Sequence, residues 1–115
     1  MTGRKLIVAA ALAVTGCGGG GEGASTTPEE LAADVGCLAC HTESDTALAP
    51  SLHGIWGTER ELADGSMVAV DTDYASRSIV DPAADVVAGY GPTMPRMPLE
   101  DAEIDQLVEW VRSLG

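Results

Sequence analysis

Two cysteines and a histidine stand together in Cys37-Leu38-Ala39-Cys40-His41. Two thiols at this spacing can add to the two vinyl groups on one edge of a porphyrin, and an imidazole on the next residue then stands beneath the metal. Cys-x-x-Cys-His is accordingly the spacing of a covalent c-type haem attachment. With 3 Cys and 2 His in 115 residues, the pattern arises by chance in roughly one such chain in a thousand, so chance is a poor explanation. Two rival chemistries use the same residue types. A thioredoxin-like redox pair sits beside a βαβ pattern, which this sequence lacks. A zinc site takes four ligands, and beyond these three only Cys17 and His53 remain.

A six-coordinate haem iron needs a second axial ligand, and a methionine thioether is the soft choice that raises the reduction potential. Met1 falls in an apparent leader, and Met67 falls in a run that reads as a strand. Met94 and Met97 lie in Tyr90-Gly91-Pro92-Thr93-Met94-Pro95-Arg96-Met97-Pro98. Three prolines forbid regular structure there, and they stiffen a loop that offers side chains from extended backbone. Either methionine suits, although methionine is also a common core filler. His53 is a weaker candidate. It lies only twelve residues past His41, too short a run to wrap to the opposite face of a porphyrin.

The elements that must position these groups are short. Thr27 followed by Pro28, Glu29 and Glu30 predicts a capped helix from Pro28, with proline at the first helical position and acids against the helix dipole. Leu31 and Val35 share one face, and the helix is expected to deliver Cys37, Cys40 and His41. Residues 42–57 read as irregular, with Pro50, Gly54 and Gly57 as punctuation. Asp64-Gly65, between Leu62 and the run Met67 to Val70, predicts two short strands around a tight turn. Asp71 predicts a cap for a helix over 72–80 that Pro82 halts. Ile104, Leu107, Val108, Val111 and Leu114 follow helical spacing and predict a last helix over 101–114, packed by its apolar face on Leu31 and Val35. The fold class expected is all-α with a small β-hairpin insert. The chain has no Phe, and only Trp56, Trp110, Tyr74 and Tyr90 are aromatic. A core this thin commonly leans on a cofactor.

The first residues read as a leader rather than as part of the domain. Arg4 and Lys5 precede an apolar run from Leu6 to Val14, too short for a bilayer but suited to a signal peptide. The run ends in Val14-Thr15-Gly16-Cys17, which resembles the lipobox of bacterial lipoproteins, whose cysteine is lipidated and becomes the first mature residue. The expected organisation is a signal peptide over 1–16, a lipidated Cys17 with a flexible linker over 17–27, and a domain over 28–115. Ten Gly- and Ser-rich residues after Cys17 would hold the domain about 17 Å from its anchor. Cleavage removes Arg4 and Lys5 and no acid, so 4 basic residues face 18 acidic ones and the charge moves from −12 to −14. Such a surface repels nucleic acid and favours partners with a basic docking face.

From Gly36 to Gly115 the sequence resembles a class I mono-haem cytochrome c. It is most similar to the cytochrome c domain of caa3-type oxidase subunit II and to the mono-haem lipoprotein subunit of alternative complex III. The matching pieces are Gly36 to His41, then Ala49-Pro50-Ser51-Leu52-His53-Gly54-Ile55-Trp56-Gly57, Leu62 to Ser66, Tyr74, Ser78 to Pro82, Gly89-Tyr90, Met94-Pro95 and the last helix. The resemblance implies one covalent haem c, with His41 and Met94 as axial ligands to iron. It also implies that the Pro50 carbonyl accepts the far imidazole proton of His41, and that Trp56 and Arg60 face the haem propionates. Two departures stand out. Ala49 replaces the usual Gly, and the stretch over 95–99 is about two residues short and carries a second Met-Pro, which keeps Met97 in play. The function implied is electron transfer without substrate chemistry, on the outer side of the bacterial cytoplasmic membrane or in the periplasm, serving a redox protein or membrane respiratory complex. A fixed electron-entry subunit of a membrane complex and a haem-based gas sensor are the other readings.

Anchoring yields a direct test. Cys17→Ser is expected to keep haem through Cys37 and Cys40, to lose the lipid by mass spectrometry, and to leave the membrane fraction. Two acyl chains anchor stably where one is marginal. A mutant that stays on membranes after a salt wash would place the anchor elsewhere.

Overall fold

A computed structural model describes residues 27–115; the expected signal peptide, Cys17 and the linker up to residue 26 lie outside the described residues. Helix α1 spans Pro28–Asp34 and opens with a full capping box. The Thr27 hydroxyl accepts from Glu30 N at 3.1 Å, and Glu30 Oε2 accepts from Thr27 N at 3.0 Å. The helix then stops before the cysteines. Val35 and Gly36 return their N–H groups to Leu31 O and Ala33 O, and Gly36 adopts φ 89°. That left-handed turn strains any residue with a Cβ. The expectation that α1 carries Cys37, Cys40 and His41 is thus corrected: they follow the break on a separate 3-10 turn, Cys37–Ala39.

Residues 42–58 form no helix or strand. The hairpin comes next, with β1 at Glu59–Glu61 antiparallel to β2 at Met67–Ala69, Arg60 opposite Val68. The first strand is therefore placed before Leu62, at a Glu-Arg-Glu triplet with no apolar alternation to reveal it, and 62–66 forms the connecting loop. Asp64-Gly65 still turns the chain: Gly65 N donates to Leu62 O, and Asp64 Oδ1 accepts from Ser66 N and Oγ. Helix α2, Thr72–Val80, starts where Asp71 Oδ1 accepts from Tyr74 N. Helix α3 spans Asp101–Ser113.

The helices α1 and α2 both pack on α3. One core cluster joins Leu31 and Ala32 of α1 to Leu107, Trp110 and Val111 of α3, with Val35 packed against it. A second joins Leu62, Val70 and Tyr74 around the hairpin. Trp56 and Ile55 touch both. The described residues thus form three α-helices with a small two-stranded sheet. Among them no helix is long and apolar enough to cross a membrane.

Leu107 is 1% exposed at the α1–α3 crossing. Leu107→Ala is expected to cost about 2–5 kcal/mol, read as a lower urea midpoint at unchanged slope.

Candidate cofactor site

A cavity of about 460 Å³ lies between the two clusters. Its size falls within the range usual for small-molecule and cofactor sites. Cys37, Cys40, His41 and Pro50 line one side, and Met94 and Met97 belong to the same wall set. The rest is largely apolar, from Leu52 and Ile55 to Ile79 and Leu107.

The 3-10 turn explains how both thiols serve one edge. Residues three apart eclipse in a 3-10 turn, so Cys37 and Cys40 project together, and His41 N bonds Cys37 O at 2.9 Å. Burial pushes the Cys37 thiol above the ordinary thiol range, which keeps it neutral at neutral pH.

His41 Nδ1 lies 2.8 Å from Pro50 O. A carbonyl can only accept, so the proton resides on Nδ1 and the lone pair on Nε2 is left for a metal. The loop holds Pro50 from both sides. Thr46 Oγ1 accepts from Leu48 N and Ala49 N, each at 3.2 Å. Asp45 Oδ1 accepts from Ser51 N at 2.8 Å, and buried Ser51 Oγ donates to Glu43 O at 3.0 Å.

Arg60 enters the cavity from β1. Its neighbours Glu59 and Glu61 are exposed while Arg60 is half-buried, as strand alternation dictates. Arg77, Arg96 and Arg112 pair with Asp85, Asp81 and Glu109. Arg60 alone among the arginines of the described residues has no carboxylate partner, which suits an anionic group at the cavity edge.

Met94 and Met97 reach the cavity from a loop with little hydrogen bonding of its own. Thr93 N donates to Gly91 O and Leu99 N to Met97 O. Between the methionines, Arg96 Nη2 reaches Asp81 Oδ1 at 2.9 Å and ties the loop to the end of α2. Both side chains are well exposed, so the pair positions more than it stabilises.

The remaining candidates fall outside this wall. Trp56 is half-buried between the core clusters and does not line the cavity. His53 is exposed and away from the wall, as is Met67 on β2. Among the described residues, no three His, Cys, Asp or Glu side chains gather as a metal cage. The sequence reading gave no role to Ser78 or Asp85, which also line the cavity; Ser78 stands there only as part of the family-like run Ser78 to Pro82, and Asp85 lies in a loop outside every matching piece. The residues present fit a haem: two thiols on one edge, an imidazole with its proton fixed, thioethers in the same apolar cavity, and an unpaired guanidinium.

The family model for cytochrome c matches residues 28–115. No curated protein matches the chain.

Proposed function

The chain belongs to the cytochrome c family, and from that premise we propose that it is a membrane-tethered, single-haem carrier with His41 and Met94 as axial ligands, serving a respiratory complex. The family is one of electron carriers with covalently bound haem c. The haem supplies a one-electron couple when bound, and Cys37 and Cys40 are the thiols placed to hold it. The observation that carries the ligation reading is His41, its lone pair left on Nε2 by Pro50, lining one cavity with Met94. The bond to Pro50 O orients the ring and raises its basicity. Arg60 offers its charge to the propionates.

With His41 and Met94 both holding the iron, no position would be left for substrate, which favours outer-sphere electron passage. The exposed apolar side chains of Leu38, between the cysteines, and Leu48, on the cavity wall, mark the face through which a partner would approach. The chain's excess of 18 acidic over 6 basic residues would steer basic partners, and lipidated Cys17 would keep the domain at the membrane.

Met94→Ala is expected to abolish the weak long-wavelength iron–thioether band of the oxidised protein and to lower the potential, because a thioether favours ferrous iron. Met97→Ala is expected to leave the band in place. The reverse pattern would move the ligand to Met97. Electron transfer to a basic partner is expected to slow with added salt, since screening shortens the field to about 8 Å at physiological ionic strength. A rate flat with salt would indicate a subunit docked in advance.

A further inference from the structure

Among the ion pairs of the described residues, one differs from the others in where its charges lie. In Arg96–Asp81 and Arg112–Glu109 the acidic side chains are 48% and 63% exposed, whereas Asp85, paired with Arg77, is 17% exposed. Asp85 lines the cofactor cavity, and Arg77 does not. The pair is therefore polarised. Its acid belongs to the cavity wall, while its base, 44% exposed, stays toward water.

Holding the loop in place does not account for this pair. The stretch that carries Asp85 is already fixed on both sides. Ala84 N bonds Asp81 O, Ala63 N bonds Val86 O, and Ala88 N bonds Glu61 O, while Leu62 bridges Val87. Taking a carboxylate out of water costs free energy, and an ion pair set inward is commonly no better for stability than an apolar pair of similar volume. The neighbours of Asp85 on the wall, Pro82, Val86 and Val87, are apolar, so a small apolar side chain would close the cavity there at lower cost.

What an inward carboxylate supplies is a field. Arg77 Nε donates to Asp85 Oδ2 and holds the carboxylate in place. Solvent and salt screen the charge on Arg77 more than the charge on Asp85, so the two do not cancel inside the cavity. Among the described residues, Arg60 is the other permanently charged side chain on the wall, and it is opposite in sign.

We infer that Asp85 is a fixed negative charge in the cofactor wall that favours the oxidised protein, and that Arg77 limits its effect from the water side. This rests on the haem reading above, but not on which methionine holds the iron. Ferric iron carries one more positive charge than ferrous. A carboxylate facing it therefore lowers the potential, and a nearby guanidinium raises it. Both residues act through space as tuning charges.

The test uses the haem-loaded protein. Asp85→Asn keeps the shape and removes the charge. It is expected to raise the reduced-to-oxidised ratio at fixed potential about tenfold, or about 59 mV for one electron. Arg77→Gln leaves the carboxylate unopposed and is expected to lower the same ratio about three-fold. The double variant, neutral like the pair, is expected to fall between the two. The opposite signs separate charge from packing, because a loosened wall that admits water would move both single variants the same way. A second readout needs no electrode. The gap between the urea midpoints of the reduced and oxidised protein is expected to widen in Asp85→Asn and to narrow in Arg77→Gln. Shifts of one sign in the two single variants, or an unchanged potential in Asp85→Asn, would overturn the inference. A wild-type chain that carries no covalent haem on a denaturing gel would instead overturn the haem reading, so the two failures are distinguishable.

Discussion

A carbonyl oxygen has no proton to give, and the 2.8 Å contact between His41 Nδ1 and Pro50 O therefore decides which nitrogen of His41 faces the cavity. Much of the chain serves that one contact. Gly36 breaks α1 so that the cysteines and His41 start a new turn. Asp45, Thr46 and Ser51 spend their side chains on backbone groups around Pro50. The last residues add a brace, with Gly54 N bonded to Leu114 O at 3.2 Å and Trp56 N to Gly115 O at 3.0 Å. The irregular stretch after His41 is thus held at both ends by specific bonds. A metal ligand needs such support, because its ring orientation and basicity are set by what lies behind it.

Charge is distributed with the same economy. Eighteen acidic residues leave few cations, and three of the arginines are taken up by nearby carboxylates. Of these pairs, Asp81–Arg96 spans fifteen residues and sets where the methionine loop meets α2. The guanidinium of Arg60 is kept for the interior by strand alternation in the hairpin. The hairpin is in turn strapped to 86–88, with Ala63 N bonded to Val86 O, Ala88 N to Glu61 O, and Leu62 bridged to Val87. One small sheet therefore fixes a cation and one flank of the cavity together.

Much of this was legible from residue order alone, for local reasons. Thr27 with Glu30, Asp71 with Tyr74, and the apolar stripe of α3 are short-range signals, and each marks an element where it forms. The Cys-x-x-Cys-His turn carries its chemistry in its spacing. The role of Gly36 was missed because an apolar face and a helix dipole continue smoothly up to it. Strand β1 was missed because Glu59, Arg60 and Glu61 show no alternation of hydropathy; their pairing is dictated by Val68 and the turn. Pro50 as acceptor was reached only through family likeness, since a carbonyl leaves no mark on a sequence. Ser78 was invisible for a different reason: only the three-dimensional wall shows that its hydroxyl has nothing to bond.

The prolines at 92, 95 and 98 have one more effect. A stretch of extended backbone at a surface ordinarily offers alternating N–H and C=O groups, a template on which another chain can add a strand. Here three of those N–H groups do not exist, and the N–H groups of Thr93 and Leu99 are already spent on Gly91 and Met97. What remains is a row rich in acceptors and poor in donors. A strand from a second copy would find few bonds to make, so the loop that brings two apolar methionines to the rim is a poor seed for edge-to-edge aggregation.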